Sequence, residues 1–364
     1  MAERKVSNPR AYGPIPLVAI SPERFIRAAR QPARMLHVTN GSIAAEGIRR
    51  SGVPGRVTIS ADVLHEGPAP AGLPPERWRK VRARYLAEAG YAGYDECLAE
   101  LTDWDRTVDD ARSYEEVVLW FEHDLFDQLL LIRLLDGFAA RELGLTRLSL
   151  ICIGEFPDIE PFHGLGQLTP EQLGPLLETR QPVTREQLNL ARHTWRVFCS
   201  PEPIGIEVAL RRDTSALPFL AGALQRHLEE FPSTRNGLSR TEHQALAALA
   251  SSGPTMTFES LFPAVQAPEE RPFFGDSSLF HTLHGLSTDP RRLVRIERDG
   301  SGGMRSARIT LTATGHDVLE GRDDWVRIHG IDRWLGGVHL HGQEAQWRWD
   351  PDRGRLVPGA LIAE

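Results

Sequence analysis

Apolar and polar positions along this chain fall first into an alternation of strands and helices. Residues 36–39 and 56–60 read as short strands on either side of a helical run at 43–50, with Gly52-Val53-Pro54-Gly55 as the turn between them. Residues 75–89 and 95–109 have the three-to-four spacing of helices. The most continuous apolar run, Val117-Val118-Leu119-Trp120-Phe121, lies in a strand predicted over 116–121 and stops abruptly at Glu122-His123-Asp124. A run so rich in β-branched and aromatic residues reads as a strand buried on both faces. Helical spacing resumes over 125–135, and 148–153 predicts a fourth strand. This rhythm predicts an α/β class with a Rossmann-like parallel sheet over residues 35–168.

Residues 169–232 change character, with helix-length segments at 170–178, 184–198 and 217–230 punctuated by proline, and Thr184 and Gln187 at capping-box spacing. In 233–325, Ser239 and Glu242 again have that spacing and open a helix to Ala250; helical stretches follow near 258–265 and 277–286. A hairpin pattern at 293–298 and 307–311, turning at 300–303, precedes a helix over 312–319. Three helices and a two-stranded wing make the order of a winged helix, and Ile309-Thr310-Leu311-Thr312-Ala313-Thr314-Gly315 resembles the wing-to-helix turn of bacterial winged-helix repressors. Residues 326–364 form a β-rich tail in which 332–340 and 347–350 alternate like a pair of strands. Residues 1–34 carry Arg and Pro without periodicity; translation starting at Met35 and an extension packed through Leu17-Val18 and Phe25-Ile26 are both open.

Composition narrows the function classes only a little. Over 364 residues, 41% hydrophobic and 25% charged residues with a net charge of -7 describe an ordinary globular chain without global attraction to nucleic acid or anionic lipid. Cys97, Cys152 and Cys199 have no metal-type or redox-type spacing and read as core thiols in a reducing cytoplasm. No apolar stretch approaches the roughly 20 residues of a membrane span, so a cytoplasmic protein without a membrane partner is expected. Oligomeric state is left open.

In an open parallel sheet, ligands bind beyond the carboxyl ends of the strands. The first strand ends in Asn40-Gly41-Ser42 before a helix, an anion seat of backbone N–H groups and a hydroxyl. The second leads to Asp62 and then His65-Glu66; the third delivers Glu122, His123 and Asp124, with Asp127 and Gln128 a turn into the helix. The fourth ends near Glu155, with Asp158 and His163 beyond. Such a gathering can hold a divalent metal, run acid–base chemistry or bind a ribose or base. Set against this, Asp124 caps its helix, Asp127 favours the helix dipole, Asn40 or Ser42 caps the first helix, and His65 and His123 are satisfied core-edge histidines. The first turn lacks a dinucleotide fingerprint and a Walker lysine. His339 and His341 lie on one strand face without a third ligand, and His227 reads as part of a solvated helix face. The expected recognition helix at 277–286 has no Arg or Lys; Arg291, Arg292, Arg295, Arg298, Arg305 and Arg308 leave only a modest patch for nucleic acid, interrupted by Glu297 and Asp299.

Leu36-His37-Val38-Thr39-Asn40-Gly41-Ser42, Leu64-His65-Glu66-Gly67-Pro68 and Trp120-Phe121-Glu122-His123-Asp124-Leu125-Phe126-Asp127-Gln128-Leu129 resemble the bacterial domain-of-unknown-function family numbered eighteen thirty-five. The resemblance covers 35–168 and extends to Arg333-Trp334-Leu335-Gly336-Gly337. Members carry an acidic turn such as Asn-Gly-Asp-Ser where this chain has Asn-Gly-Ser. The resemblance implies the domain order and no activity. The sequence therefore supports a small anionic or nucleotide-like ligand at the sheet edge, acted on by hydrolysis or group transfer with a divalent metal as an optional cofactor. Glu122, His123, Asp62 and His65 are the catalytic candidates; Asn40, Gly41, Ser42, Glu66 and Gln128 would bind ligand, and Asp124 and Asp127 metal. The competing expectation is a ligand-sensing regulator or interaction module that uses the winged helix.

Overall fold

The structure, a computed structural model, describes residues 35–288, 291–298 and 303–359. The expectations for 1–34, for Asp299 and for the wing turn at 300–302 lie outside the described residues. The first unit runs β1 (Met35–Thr39), α1 (Ser42–Arg50), β2 (Arg56–Ile59), a two-residue β3 (Gly67–Pro68), α2 (Pro75–Glu88), α3 (Tyr94–Asp109), β4 (Glu116–Phe121), α4 (Leu125–Ala139) and β5 (Arg147–Cys152). Then come α5 (Pro170–Leu176), β6 (Gln181–Pro182), α6 (Arg185–Phe198), α7 (Ile204–Leu210) and α8 (Leu220–Leu228). The third stretch holds α9 (Arg240–Ser252), β7 (Thr255–Thr257), α10 (Phe258–Gln266), α11 (Asp276–Leu286), β8 (Val294–Glu297), β9 (Arg308–Leu311) and α12 (Ala313–Leu319). It closes with α13 (Trp325–His329), β10 (Ile331–Gly336), β11 (Val338–Gly342), β12 (Trp347–Asp350) and β13 (Arg355–Pro358).

The architecture is mixed α/β around a five-stranded sheet in the order β2-β1-β4-β5-β6, with every pair parallel except β5 with β6. Register aligns Thr39 with Ile59 and with Trp120, and Trp120 with Ile151. Asn40, Ser60, Phe121 and Cys152 therefore stand at one edge. All six residues of β4 are buried, as its apolar run requires. Trp120 donates its indole N–H to His37 Nδ1 at 3.0 Å, and His37 Nε2 meets the Pro54 carbonyl at 2.9 Å, so every nitrogen of the two rings has a partner.

Eleven of the fifteen residues of α4 are buried. A helix apolar on every side has to be covered on every side. The sheet covers one face of α4, and α6 and α8 cover another. Capping boxes at Thr184 with Gln187 and at Ser239 with Glu242 form as the spacing predicts. The three helices α9, α10 and α11 pack with an antiparallel sheet ordered β7-β9-β8. One hydrophobic cluster runs without a break from Leu36 to Leu356.

The tail differs from the expected pair of strands. It contains two hairpins, β10 with β11 and β12 with β13, because Gly336 at φ 59 reverses the chain within what read as one alternating run. In addition, β10 pairs in parallel with β3, through Leu335 with Gly67 and Gly336 with Pro68. Among the described residues no helix is long and apolar enough to cross a membrane.

Candidate functional site

The step from β4 into α4 brings three carboxylates together. One oxygen each from Glu122, Asp124 and Asp127 lies within 4.8 Å of the others, and the residues are only 5%, 5% and 0% exposed. Chain geometry forces part of this. Asp124 is the N-cap of α4, where its Oδ1 accepts from the Asp127 N–H at 2.9 Å. Asp127, in the first turn, accepts from the Glu122 N–H at 2.8 Å through Oδ1 and from the Asn40 amide at 2.6 Å through Oδ2. Capping and dipole thus account for the two aspartates.

They do not account for Glu122. Its side chain is held by the Leu165 N–H, 2.6 Å from Oε1, and is roofed by Gly164 at φ 137, where a Cβ would stand 2.0 Å from Oε2. The Gln128 amide bonds the Glu122 carbonyl at 2.6 Å, fixing the backbone at the bend. Burial and the two neighbouring aspartates push the Glu122 carboxyl well above its usual range, and burial and Asp127 do the same to Asp124. Burial lifts Asp127 to about 7 against the pull of Asn40. Without a cation, then, the cluster retains protons near neutrality.

His123 points elsewhere on the same wall. Its ring stacks on Phe162 and meets Phe219 edge-on, each at 6.0 Å, and its Nδ1 is buried without a hydrogen-bond partner. Burial, then the charge of Arg271, drops its pKa to about 4, so the ring is neutral at pH 7. The same Arg271 charge acts on Asp124, and its guanidinium lies 5.6 Å from the Phe219 ring centre. Arg271, Phe219 and Gly164 were not singled out in the sequence; each comes from a later segment and carries no local signal.

Other expected members are placed separately. Asn40 and Ser42 do not cap α1: Gly41 is the N-cap and no side-chain cap bond forms, because Asn40 is engaged by Asp127. Ser42 is the first helical residue, and a Cβ built on Gly41 would meet nothing within 4 Å. Asp62 does not join the carboxylate group: its two oxygens take a fork from Arg82 at 2.6 and 3.2 Å, both side chains being wholly buried. His65 and Glu66 form another cluster. Glu66 accepts from Tyr85 and Tyr91 hydroxyls at 2.9 and 3.1 Å, and against the effect of burial His65 and Ser278 draw it down to about 2. His65 Nε2 pairs with Glu66 Oε1 at 3.2 Å, while its buried Nδ1 has no hydrogen-bond partner.

His227 is fully buried between Phe198 and Phe231 rather than solvated, since its face of α8 turns inward. His339 stacks on Trp334 at 4.4 Å and bonds Asp332, which occupies it without a metal. On α11, Ser278 meets the Tyr91 hydroxyl at 2.9 Å and His281 meets the Tyr85 ring edge-on, so this helix is docked on α2 and the start of the loop before α3. A scan of the chain against protein-family models gives no match, and a search among curated proteins gives none either.

Proposed function

We propose that the β4–α4 junction binds a divalent cation through Glu122, Asp124 and Asp127, and that the protein hydrolyses, or transfers a group from, a small anionic substrate held against it. The observation that carries this reading is the position of Glu122: a third carboxylate turned into a pair that already serves the helix, at a cost in burial and repulsion that a doubly charged ion offsets. Three carboxylate oxygens form a hard donor set, suited to magnesium, manganese or calcium rather than to zinc.

When bound, the ion would supply Lewis-acid polarisation of a phosphoryl or acyl oxygen. The chain's own residues have separate tasks. Asn40 orients the Asp127 carboxylate; Arg271, whose charge reaches Asp124 and His123, attracts the anion; the N-terminus of α1, which no side chain caps, would add backbone donors. Neutral His123 offers its unpartnered Nδ1 as a hydrogen-bonding group, while a pKa near 4 makes it a poor base at pH 7. Asp62 and His65, first read as catalytic, are better explained as supports of the adjoining loop. We further read the parallel sheet as Rossmann-like and α9 to β9 as winged-helix-like, with α11 docked in a structural role.

Thermal unfolding of chelated protein with manganese, magnesium or calcium tests the reading. A ligand at 100 times its dissociation constant stabilises by about 2.7 kcal/mol, a readily measured rise in melting temperature. Glu122→Gln should keep the fold and lose that rise. A wild-type protein that responds to none of the three ions at neutral pH refutes the proposal.

A further inference from the structure

A second cleft, of about 530 Å³, opens beside the last turns of α4. Its walls include Trp78 of α2, Asp136 of α4, and Arg192, His193, Trp195 and Arg196 along α6. Asp136 is nine residues beyond Asp127 on one helix, about 14 Å at ~1.5 Å per residue, so this cleft is distinct from the carboxylate cluster. Its volume falls in the range of about 300–1,000 Å³ usual for small-molecule sites.

The chemistry of the walls is divided. Trp78 and Trp195 meet edge to face with ring centres 6.3 Å apart. One face of Trp78 is taken by the Arg133 guanidinium at 4.4 Å, and one face of Trp195 stacks on Phe198 at 5.5 Å. An indole has two faces, and the edge-to-face contact covers the second face of one ring, so the cleft that both rings line is offered at most one open indole face together with the edges of the pair. Arg192 and Arg196 are exposed and lie one helical turn apart on the same face of α6. Arg196 reaches His193 Nδ1 at 3.4 Å, and His193 Nε2 is buried with no hydrogen-bond partner. Asp136, within the field of Arg192, adds a carboxylate to these walls.

An indole face beside two guanidinium groups matches a planar ring joined to a phosphate: stacking on the tryptophan pair holds the ring, the arginines take the anion, and Asp136 and His193 can pair with ring or sugar donors and acceptors. The chain's own residues 1–34 are a poor charge complement, with seven Arg or Lys against two Glu. We propose that this cleft binds a nucleoside 5′-phosphate, with its base against Trp78 and Trp195 and its phosphate on Arg192 and Arg196.

Isothermal titration calorimetry of the full chain in EDTA, with AMP, CMP, adenosine and inorganic phosphate as probes, tests it with the cation site silent. Saturable binding of AMP or CMP is expected, with adenosine and phosphate each weaker by roughly tenfold or more, because each retains one half of the recognition. Arg192→Ala with Arg196→Ala, both at exposed positions, should weaken the nucleotide by roughly tenfold or more and leave the metal-induced melting shift intact. Asp127→Asn should bind nucleotide like the wild type. No saturable nucleotide binding, binding indifferent to the two arginines, or binding lost in Asp127→Asn overturns the proposal.

Discussion

Replacing Asp127 with asparagine separates the electrostatics of the carboxylate cluster from its packing. Burial raises the Asp127 carboxyl from 3.8 to about 7, which at ~1.4 kcal/mol per unit is about 4 kcal/mol of stability. Below about pH 4 the group is protonated in folded and unfolded chains alike and nothing is lost. As pH rises, the unfolded chain ionises first while the folded chain keeps its proton, so stability falls until about pH 7 and then levels off. Asparagine, uncharged throughout, removes that decline. It also has a cost: Asp127 accepts from both the Glu122 N–H and the Asn40 amide, and asparagine has one acceptor oxygen. Turning the Asn40 amide over would break its bond from Thr39, so one mispaired donor remains, worth about 1–2 kcal/mol. In EDTA the variant should therefore be more stable than wild type at pH 8 by about 2–3 kcal/mol, and less stable by about 1–2 kcal/mol near the acid end. Urea denaturation across the range reads this as two stability curves that cross. With manganese present at pH 8, the wild type gains and the variant does not. Parallel pH profiles for the two proteins would refute the reasoning.

Gly164→Ala puts a methyl group into the Glu122 carboxylate at a φ of 137, so it should cost about 2–4 kcal/mol in denaturant and abolish the melting response to metal; unchanged stability would show that the roof gives way easily. Asp62→Ala leaves Arg82 buried without its carboxylate, an expected loss of about 3–5 kcal/mol that the double variant with Arg82→Met recovers only in part, because the carbonyls of Val63, Glu66 and Pro68 lose their donor; metal binding should survive in both, and its loss would return Asp62 to the site.

What the sequence disclosed depended on how local its signal was. The five apolar residues that follow Glu116 in β4 and the leucine-rich α4 announce themselves by pattern alone, and with them the sheet edge where Glu122, Asp124 and Asp127 meet. Short elements leave too little pattern to read, as with the seven-residue α7 and the three-residue β7. Partner choice was less legible still. Asp62 read as a site residue until Arg82, twenty positions on, claimed both its oxygens. Asn40 looked like a cap because that residue type favours caps, yet a carboxylate 87 positions away outcompeted the helix. Such pairings are decided by the tertiary fold and leave no periodicity behind.

The pairing of β10 with β3 bears on how the protein can be made. Gly67 and Pro68 emerge from the ribosome long before Leu335 and Gly336 exist to complete their sheet. Until then Arg82, whose guanidinium bonds the carbonyls of Glu66 and Pro68 and the carboxylate of Asp62, must wait beside an open backbone edge. Contacts of such separation slow folding and expose unpaired strands in the interval. Shortened versions ending before residue 331 would carry that edge permanently, and are expected to accumulate as chaperone-bound or insoluble chains rather than as a smaller folded protein.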